Sequence, residues 1–259
     1  MEELKGGREG AVYRDGNKLY RPKGKWSGAV HALLSHLRVV GFYAAPQPFG
    51  FEKEQEVLSF VQGNVFNYPL NGDIATVDTL ISAAQLLRRY HDATQSFLVH
   101  LNQFENQWML PAREPQEVVC HGDFAPYNVA LKNKKVVGVF DFDTAHPAPR
   151  VWDIAYALYC WAPFKTDKID AYGDLDQQLS RAKLFCDSYG VSDDERAQLP
   201  YVMVERIRAL VQFVEKEARN GNEAFQSNMN DGHHFAYLND ICYLIEHQQK
   251  ITAALCHTR

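Results

Sequence analysis

The sequence predicts an α+β fold in which a small β-rich N-terminal part precedes a larger, mostly helical C-terminal part, and three observations carry that prediction. Short β-prone runs crowd the first 62 residues, apolar residues recur at helical spacing over most of the remaining chain, and one β-prone island at residues 117–143 interrupts the helical pattern. Helices repeat their apolar positions at i, i+3, i+4 and i+7 and half-buried strands at every second residue, so a change of period along the chain marks a change of architecture.

Taken in order, residues 11–21, AVYRDGNKLYR, hold two β-prone runs around Asp15-Gly16, a dipeptide that favours tight hairpin turns. Trp26, Val30, Leu33, Leu34 and Leu37 then recur at helical spacing as far as Gly41, a residue free to take the left-handed conformation that ends many helices. Pro46 and Pro48 break the chain, and residues 48–51 and 56–61 read as strands on either side of the turn-like Glu52-Lys53-Glu54. A boundary near Gln62-Gly63-Asn64 gives an N-terminal lobe at 1–62 and a C-terminal lobe at 63–259. Beyond it Ile74, Val77, Leu80, Ile81, Ala84, Leu87 and His91 mark a long helix, and further helical patterns run through 182–189, 201–214 and 237–255. Within the island VVC, VALK and VVGVF read as strands, with Lys132-Asn133-Lys134-Lys135 as the polar turn between the last two.

Composition excludes several classes of function. With 27 Lys+Arg against 32 Asp+Glu, 27 − 32 = −5, and no run of five basic residues, the chain lacks the electrostatic footprint of a duplex-binding protein, and no nucleic-acid partner is expected. The five cysteines are widely spaced with no C-x2-C pair, which argues against a structural zinc site and for reduced thiols in a cytoplasmic protein. The first ten residues are polar and glycine-rich, and no stretch of 18 apolar residues occurs, so neither a secretion signal nor a membrane span is expected.

The chemistry concentrates in His121-Gly122-Asp123-Phe124-Ala125-Pro126-Tyr127-Asn128 and, after the hairpin, Val139-Phe140-Asp141-Phe142-Asp143. A hairpin sets its two strands side by side, so Asn128 at its start and Asp141 at its end can approach each other as oxygen ligands for a hard cation such as Mg²⁺. Asp123 can face the same space and accept a proton from a hydroxyl while the metal neutralises phosphate charge, which is the division of labour in phosphoryl transfer.

H-G-D-x-x-x-x-N, then F-D-F-D, then Trp152-Asp153-Ile154-Ala155-Tyr156-Ala157 resembles the aminoglycoside phosphotransferase family, relatives of choline kinases. Arg89-Tyr90-His91-Asp92-Ala93-Thr94 and Tyr20-Arg21-Pro22 extend the likeness over nearly the whole chain. The resemblance implies a two-lobed protein-kinase-like fold and an ATP- and Mg²⁺-dependent transfer of phosphate to a small-molecule acceptor. It makes Asp123 the catalytic base, Asn128 and Asp141 the Mg²⁺ ligands, and Arg21 the cation for the α- and β-phosphates. Main-chain groups of Ser59, Phe60 and Val61 are then expected to meet the adenine. It also implies that His121 ties the catalytic loop to the metal-binding segment, and leaves Asp143 open between a second metal ligand and a loop hydrogen bond.

Gly7 and Gly10, in Gly6-Gly7-Arg8-Glu9-Gly10 ahead of the first hairpin, offer backbone amides that could cover phosphates, although the run does not satisfy G-x-G-x-x-G. Gly24-Lys25-Trp26-Ser27 fails as a P-loop, because Leu19 stands at the first glycine and Trp26 at the Ser/Thr. A protein kinase pairs its phosphate-binding lysine with a glutamate on the small-lobe helix, yet no acidic residue occurs between Gly16 and Phe51, and that helix offers His31 and His36 instead. Either another group holds Arg21 or nucleotide binds less tightly. This departure supports an alternative reading, a catalytically weak or inactive kinase-like module that binds nucleotide or a partner; a metal-dependent hydrolase built on His121, Asp123 and Asp141 is a third. Asp167, Asp170, Asp174 and Asp176 would suit a cationic acceptor, or else serve as caps in a solvated loop, and Trp161, Phe164, Tyr237 and Tyr243 divide between acceptor pocket and core.

Overall fold

The computed structural model describes residues 2–4 and 12–256, apart from the side chains of Asn228 and His233. Gly7 and Gly10 lie outside the described residues. Strands β1 (Glu2–Glu3), β2 (Tyr13–Asp15) and β3 (Lys18–Pro22) lead to helix α1 (Ser27–Val39), followed by β4 (Pro48–Glu52) and β5 (Gln55–Ser59). These five strands form one antiparallel sheet in the order β1-β2-β3-β5-β4. Helix α2 (Val77–Thr94) and a 3₁₀ segment (Gln95–Phe104) precede four short strands, β6 (Val118–Cys120), β7 (Val129–Lys132), β8 (Lys135–Val139) and β9 (His146–Ala148). The rest is helical: α3 (Arg150–Trp161), α4 (Leu175–Tyr189), α5 (Asp193–Arg219), α6 (Glu223–Asn230) and α7 (His233–Cys256).

Two compact units divide the chain: Met1–Val65 with Leu86–Phe124 and Asn128–Arg150, and Phe66–Gln85 with Ala125–Tyr127 and Val151–Arg259. In the first, the β2–β3 hairpin closes at Asp15↔Lys18 around Gly16 and Asn17, with Gly16 at φ +58°. The apolar face of α1 is fully used, Leu33, Leu34 and Leu37 being wholly buried. The β7–β8 hairpin closes through Asn133 and Lys134, both left-handed at φ +52° and +59°, the pair of conformations a two-residue hairpin turn requires. β6 pairs with β9, a strand the sequence pattern does not reveal because Pro147 sits at its centre.

The stretch after β5 is stitched to the hairpin. Asn64 and Leu131 exchange N–H···O=C bonds of 2.8 and 2.9 Å, and the Val139 N–H donates to the Ala44 carbonyl at 2.8 Å. Gly138 is glycine for a steric reason: a Cβ there would lie 2.4 Å from Val61 Cγ1.

The second unit departs from the sequence expectation in two places. In α3 the residues from Trp152 to Trp161 are all buried, so no apolar stripe stands out against a polar face, and the segment around Asp153, which lies outside the helical patterns at 182–189, 201–214 and 237–255, is an internal helix. The pattern at 201–214 belongs to a helix that begins at Asp193. A capping box between Ser192 and Glu195 nucleates it, and Pro200 inside it removes one backbone donor without ending it. The chain then packs α5 along α7.

Candidate functional site

The loop after β6 is shaped by a glycine. Gly122 adopts φ +82°, and a Cβ on it would sit 2.3 Å from the Thr144 carbonyl oxygen, so no other residue fits without backbone movement. That close approach packs the loop against the segment following β8, and Thr144 Oγ1 secures it by donating to the His121 carbonyl at 3.1 Å.

His121 is wholly buried and joins the same two pieces. Its Nδ1 accepts from the Asp123 N–H at 3.3 Å and its Nε2 donates to the Phe140 carbonyl at 3.0 Å, a pair of partners that assigns the proton to Nε2. The Phe140 N–H in turn donates to the Asn128 carbonyl at 3.0 Å. One residue thus receives the His121 loop on its carbonyl oxygen and the residue leading into β7 on its amide nitrogen, and Asp141 is the next residue. Asn128 Nδ2 donates to Asp123 Oδ2 at 2.8 Å and to the Asp123 carbonyl at 3.0 Å, which leaves Oδ1 as an acceptor. Asp123, Asn128 and Asp141, predicted from spacing, are brought together through these bonds.

Arg21 joins this group. Its strand pairs with β5 so that Arg21 stands directly opposite Glu56, on the same face of the sheet. Nε donates to Glu56 Oε1 at 2.6 Å, Nη1 to Asp141 Oδ1 at 2.8 Å and Nη2 to Asp143 Oδ1 at 2.6 Å. Glu56 is 1% exposed, and its second oxygen lies 2.9 Å from Nε2 of His31 on α1. The imidazole stacks on Phe51 with ring centres 4.3 Å apart. Sequence reasoning looked to the helix for the partner of Arg21 and missed Glu56 on the adjacent strand; the available signal was a lone acid inside the run Gln55-Glu56-Val57-Leu58-Ser59, next to apolar strand residues.

Burial opposes charge on Arg21, but Asp143, Asp141 and Glu56 outweigh it and hold the guanidinium proton more tightly than usual. Burial likewise pushes the Asp143 carboxyl above the ordinary carboxylate range, against the opposing pull of Arg21. Three carboxylates, those of Glu56, Asp141 and Asp143, thus surround one guanidinium. The Asp141 carboxylate and Asn128 Oδ1 are oxygen donors of the kind a hard cation such as Mg²⁺ takes.

In the expected adenine-binding stretch the Ser59 N–H donates to the Gln47 carbonyl and the Phe60 N–H to the Asn17 carbonyl, each at 2.8 Å. Among the described residues the Val61 N–H has no such partner. Gly24-Lys25-Trp26-Ser27 is a local turn, with the Ser27 N–H donating to the Gly24 carbonyl and the Gly24 N–H to Ser27 Oγ.

In the second unit the acidic run serves the fold. Asp174 caps α4, Asp167 accepts from the Ile169 N–H, and Asp170 pairs with Lys165, whose Nζ also lies over the rings of Tyr68 and Tyr159. Trp161 and Phe164 are wholly buried core, and the Tyr243 hydroxyl donates to Gln178. Among the described residues no helix is long and apolar enough to cross a membrane.

Residues 80–185 match the phosphotransferase enzyme family. The trifolitoxin immunity protein of Rhizobium leguminosarum bv. trifolii is 33% identical over 202 residues, which cover 74% of this chain and 75% of that protein. A choline/ethanolamine kinase family protein from Mesorhizobium loti superimposes with a TM-score of 0.64 at 15% identity over 98% of this chain and 92% of its own. An aminoglycoside phosphotransferase of Streptomyces rimosus, solved with ADP and streptomycin, does so with 0.55 at 16% identity over 79% and 91%. The fold is therefore the kinase-like one that the motifs predict, with a small antiparallel sheet toward the N-terminus and a helical C-terminal part.

Proposed function

The chain belongs to the phosphotransferase enzyme family, and on that footing we propose that it transfers the γ-phosphoryl group of ATP to a hydroxyl, or an amine, of a small molecule. Lobe 1–62 handles the nucleotide and lobe 63–259 the acceptor and the chemistry. Asp123 orients the acceptor and takes up its proton, while Asn128 fixes the Asp123 carboxylate through its Nδ2. Asn128 Oδ1 and Asp141 would hold Mg²⁺, which when bound neutralises phosphate charge. Arg21 turns its two Nη groups to the α- and β-phosphates, and Gly7 and Gly10 cover them with backbone amides. In the stretch Ser59, Phe60 and Val61, the Val61 N–H is the amide left to donate to the adenine.

The observation that carries this reading is the backbone of Phe140, which clamps the loop bearing Asp123 and Asn128 to the segment bearing Asp141. Calorimetric titration with a non-hydrolysable ATP analogue tests it, first with Mg²⁺ and then with the metal chelated. Binding that needs Mg²⁺ and disappears in Asp141→Ala supports a kinase. Absence of binding in both conditions shifts the reading to the inactive module. The immunity protein among the relatives supports a second point, that the acceptor is an antibacterial compound and the transfer protective. Growth of a sensitive host on trifolitoxin, with wild type and with Asp123→Asn, decides it: protection by wild type alone supports the point, and equal growth of both removes it.

A further inference from the structure

Arg21 has three acidic partners, and they differ in kind. Asp141 has a side chain 47% exposed, and both Asp141 and Asp143 follow β8, in the segment that carries the proposed metal ligand. Glu56 is 1% exposed, stands directly across the sheet from Arg21, and binds Nε, the donor farthest from the tip of the guanidinium. At the end of the fork, Nη1 is met by the half-exposed Asp141, which phosphate oxygens can replace when nucleotide is bound, and Nη2 by Asp143, whose side chain is 12% exposed. Glu56 in turn is not left to itself. Its second oxygen would be a buried, unsatisfied anion without His31, and His31, itself buried on α1, is fixed by its stack on Phe51.

We propose that Glu56, braced by His31, is the positioning residue that holds Arg21 at the nucleotide phosphates, so that α1 acts on the nucleotide site through an imidazole rather than a carboxylate of its own. The inference rests on the kinase reading above. It adds that Glu56 stays in contact with Arg21 in both states while Asp141 exchanges with phosphate.

The test compares two probes on the full chain, a non-hydrolysable ATP analogue with Mg²⁺ and adenosine, which lacks phosphates. In Glu56→Gln the analogue should bind about tenfold more weakly, the loss of one charge-assisted hydrogen bond, while adenosine affinity holds within about twofold. His31→Phe should weaken the analogue by a smaller factor, His31→Gln, which keeps a donor, should restore most of it, and Glu56→Gln combined with His31→Phe should be no worse than Glu56→Gln alone. Equal losses for analogue and adenosine would reduce Glu56 to a packing role, and unchanged analogue binding would overturn the proposal outright. If Glu56→Gln does not fold, the two His31 variants carry the comparison. Wild-type protein that binds neither probe would remove the kinase reading and this inference with it, whereas wild-type binding with insensitive variants removes the inference alone.

Discussion

The bonds described for His121, Asp123 and Asn128 span 2 to 23 residues and end mostly on backbone, whereas Arg21 is held by side chains 35, 120 and 122 residues away. The loop at 121–128 is thus shaped by a short piece of chain folding on itself, with Gly122 and the buried His121 at its hinge points. The arginine cluster exists only when β3, β5 and the segment after β8 have all taken their places. The first arrangement ties function to individual atoms, the second to register and long-range packing.

If that contrast holds, damage should separate cleanly between the two regions. The largest effect is expected from Asp123→Asn, which should lower phosphoryl transfer by about 10²- to 10⁴-fold while analogue affinity changes by less than about twofold; a matching loss of binding would break the separation. Arg21→Ala leaves Glu56 buried with only His31 beside it, and breaking such a pair should cost about 3 kcal/mol in urea unfolding together with most of the nucleotide affinity. A stability unchanged from wild type would mean that the cluster is not needed to close the sheet. Gly122→Ala should cost about 2 kcal/mol and lower turnover along with it, because the left-handed backbone and the Thr144 carbonyl both reject a side chain.

The smallest effect concerns Asp92, at the end of α2. Burial would raise its pKa, but hydrogen bonds from Arg88 and Arg150 prevail and hold it below the ordinary range. A depressed folded pKa contributes stability above the unfolded value of about 3.9 and loses it as pH falls through the folded value. Melting curves of wild type and Asp92→Asn should therefore differ most near neutral pH and converge in acid, by a modest amount because the carboxylate is 45% exposed.

The same contrast explains what could be read from the chain. That Asp123, Asn128 and Asp141 lie close along one loop and one hairpin was legible, because their spacing is local. Glu56 was not, since its pairing with Arg21 depends on which strands become neighbours and in what register, neither of which a local pattern contains. The hairpins and long helices were visible through their periods. Helix α3 lacks a polar face to set against its apolar one, and the start of α5 is masked by Pro200. The acidic run at 167–176 left two readings open in the sequence, because capping and ligand binding draw on the same residue types, and the cap at Asp174 is one of them.

The stitching of residues 61–64 and Ala44 to the β7–β8 hairpin also has a mechanical side. A link held at one point swings; a link held by the Asn64–Leu131 exchange, the Val139–Ala44 bond and the Val61–Gly138 contact resists rotation about any single axis. The sheet that carries Arg21 and the hairpin that carries Asn128 should accordingly open together, and the amides of Asn64, Leu131 and Val139 should exchange with deuterium as one cooperative group. Bending would then have to be taken up elsewhere in the chain, and a tweezers experiment pulling on the hairpin tip at Asn133 would register one rupture for sheet and hairpin instead of two.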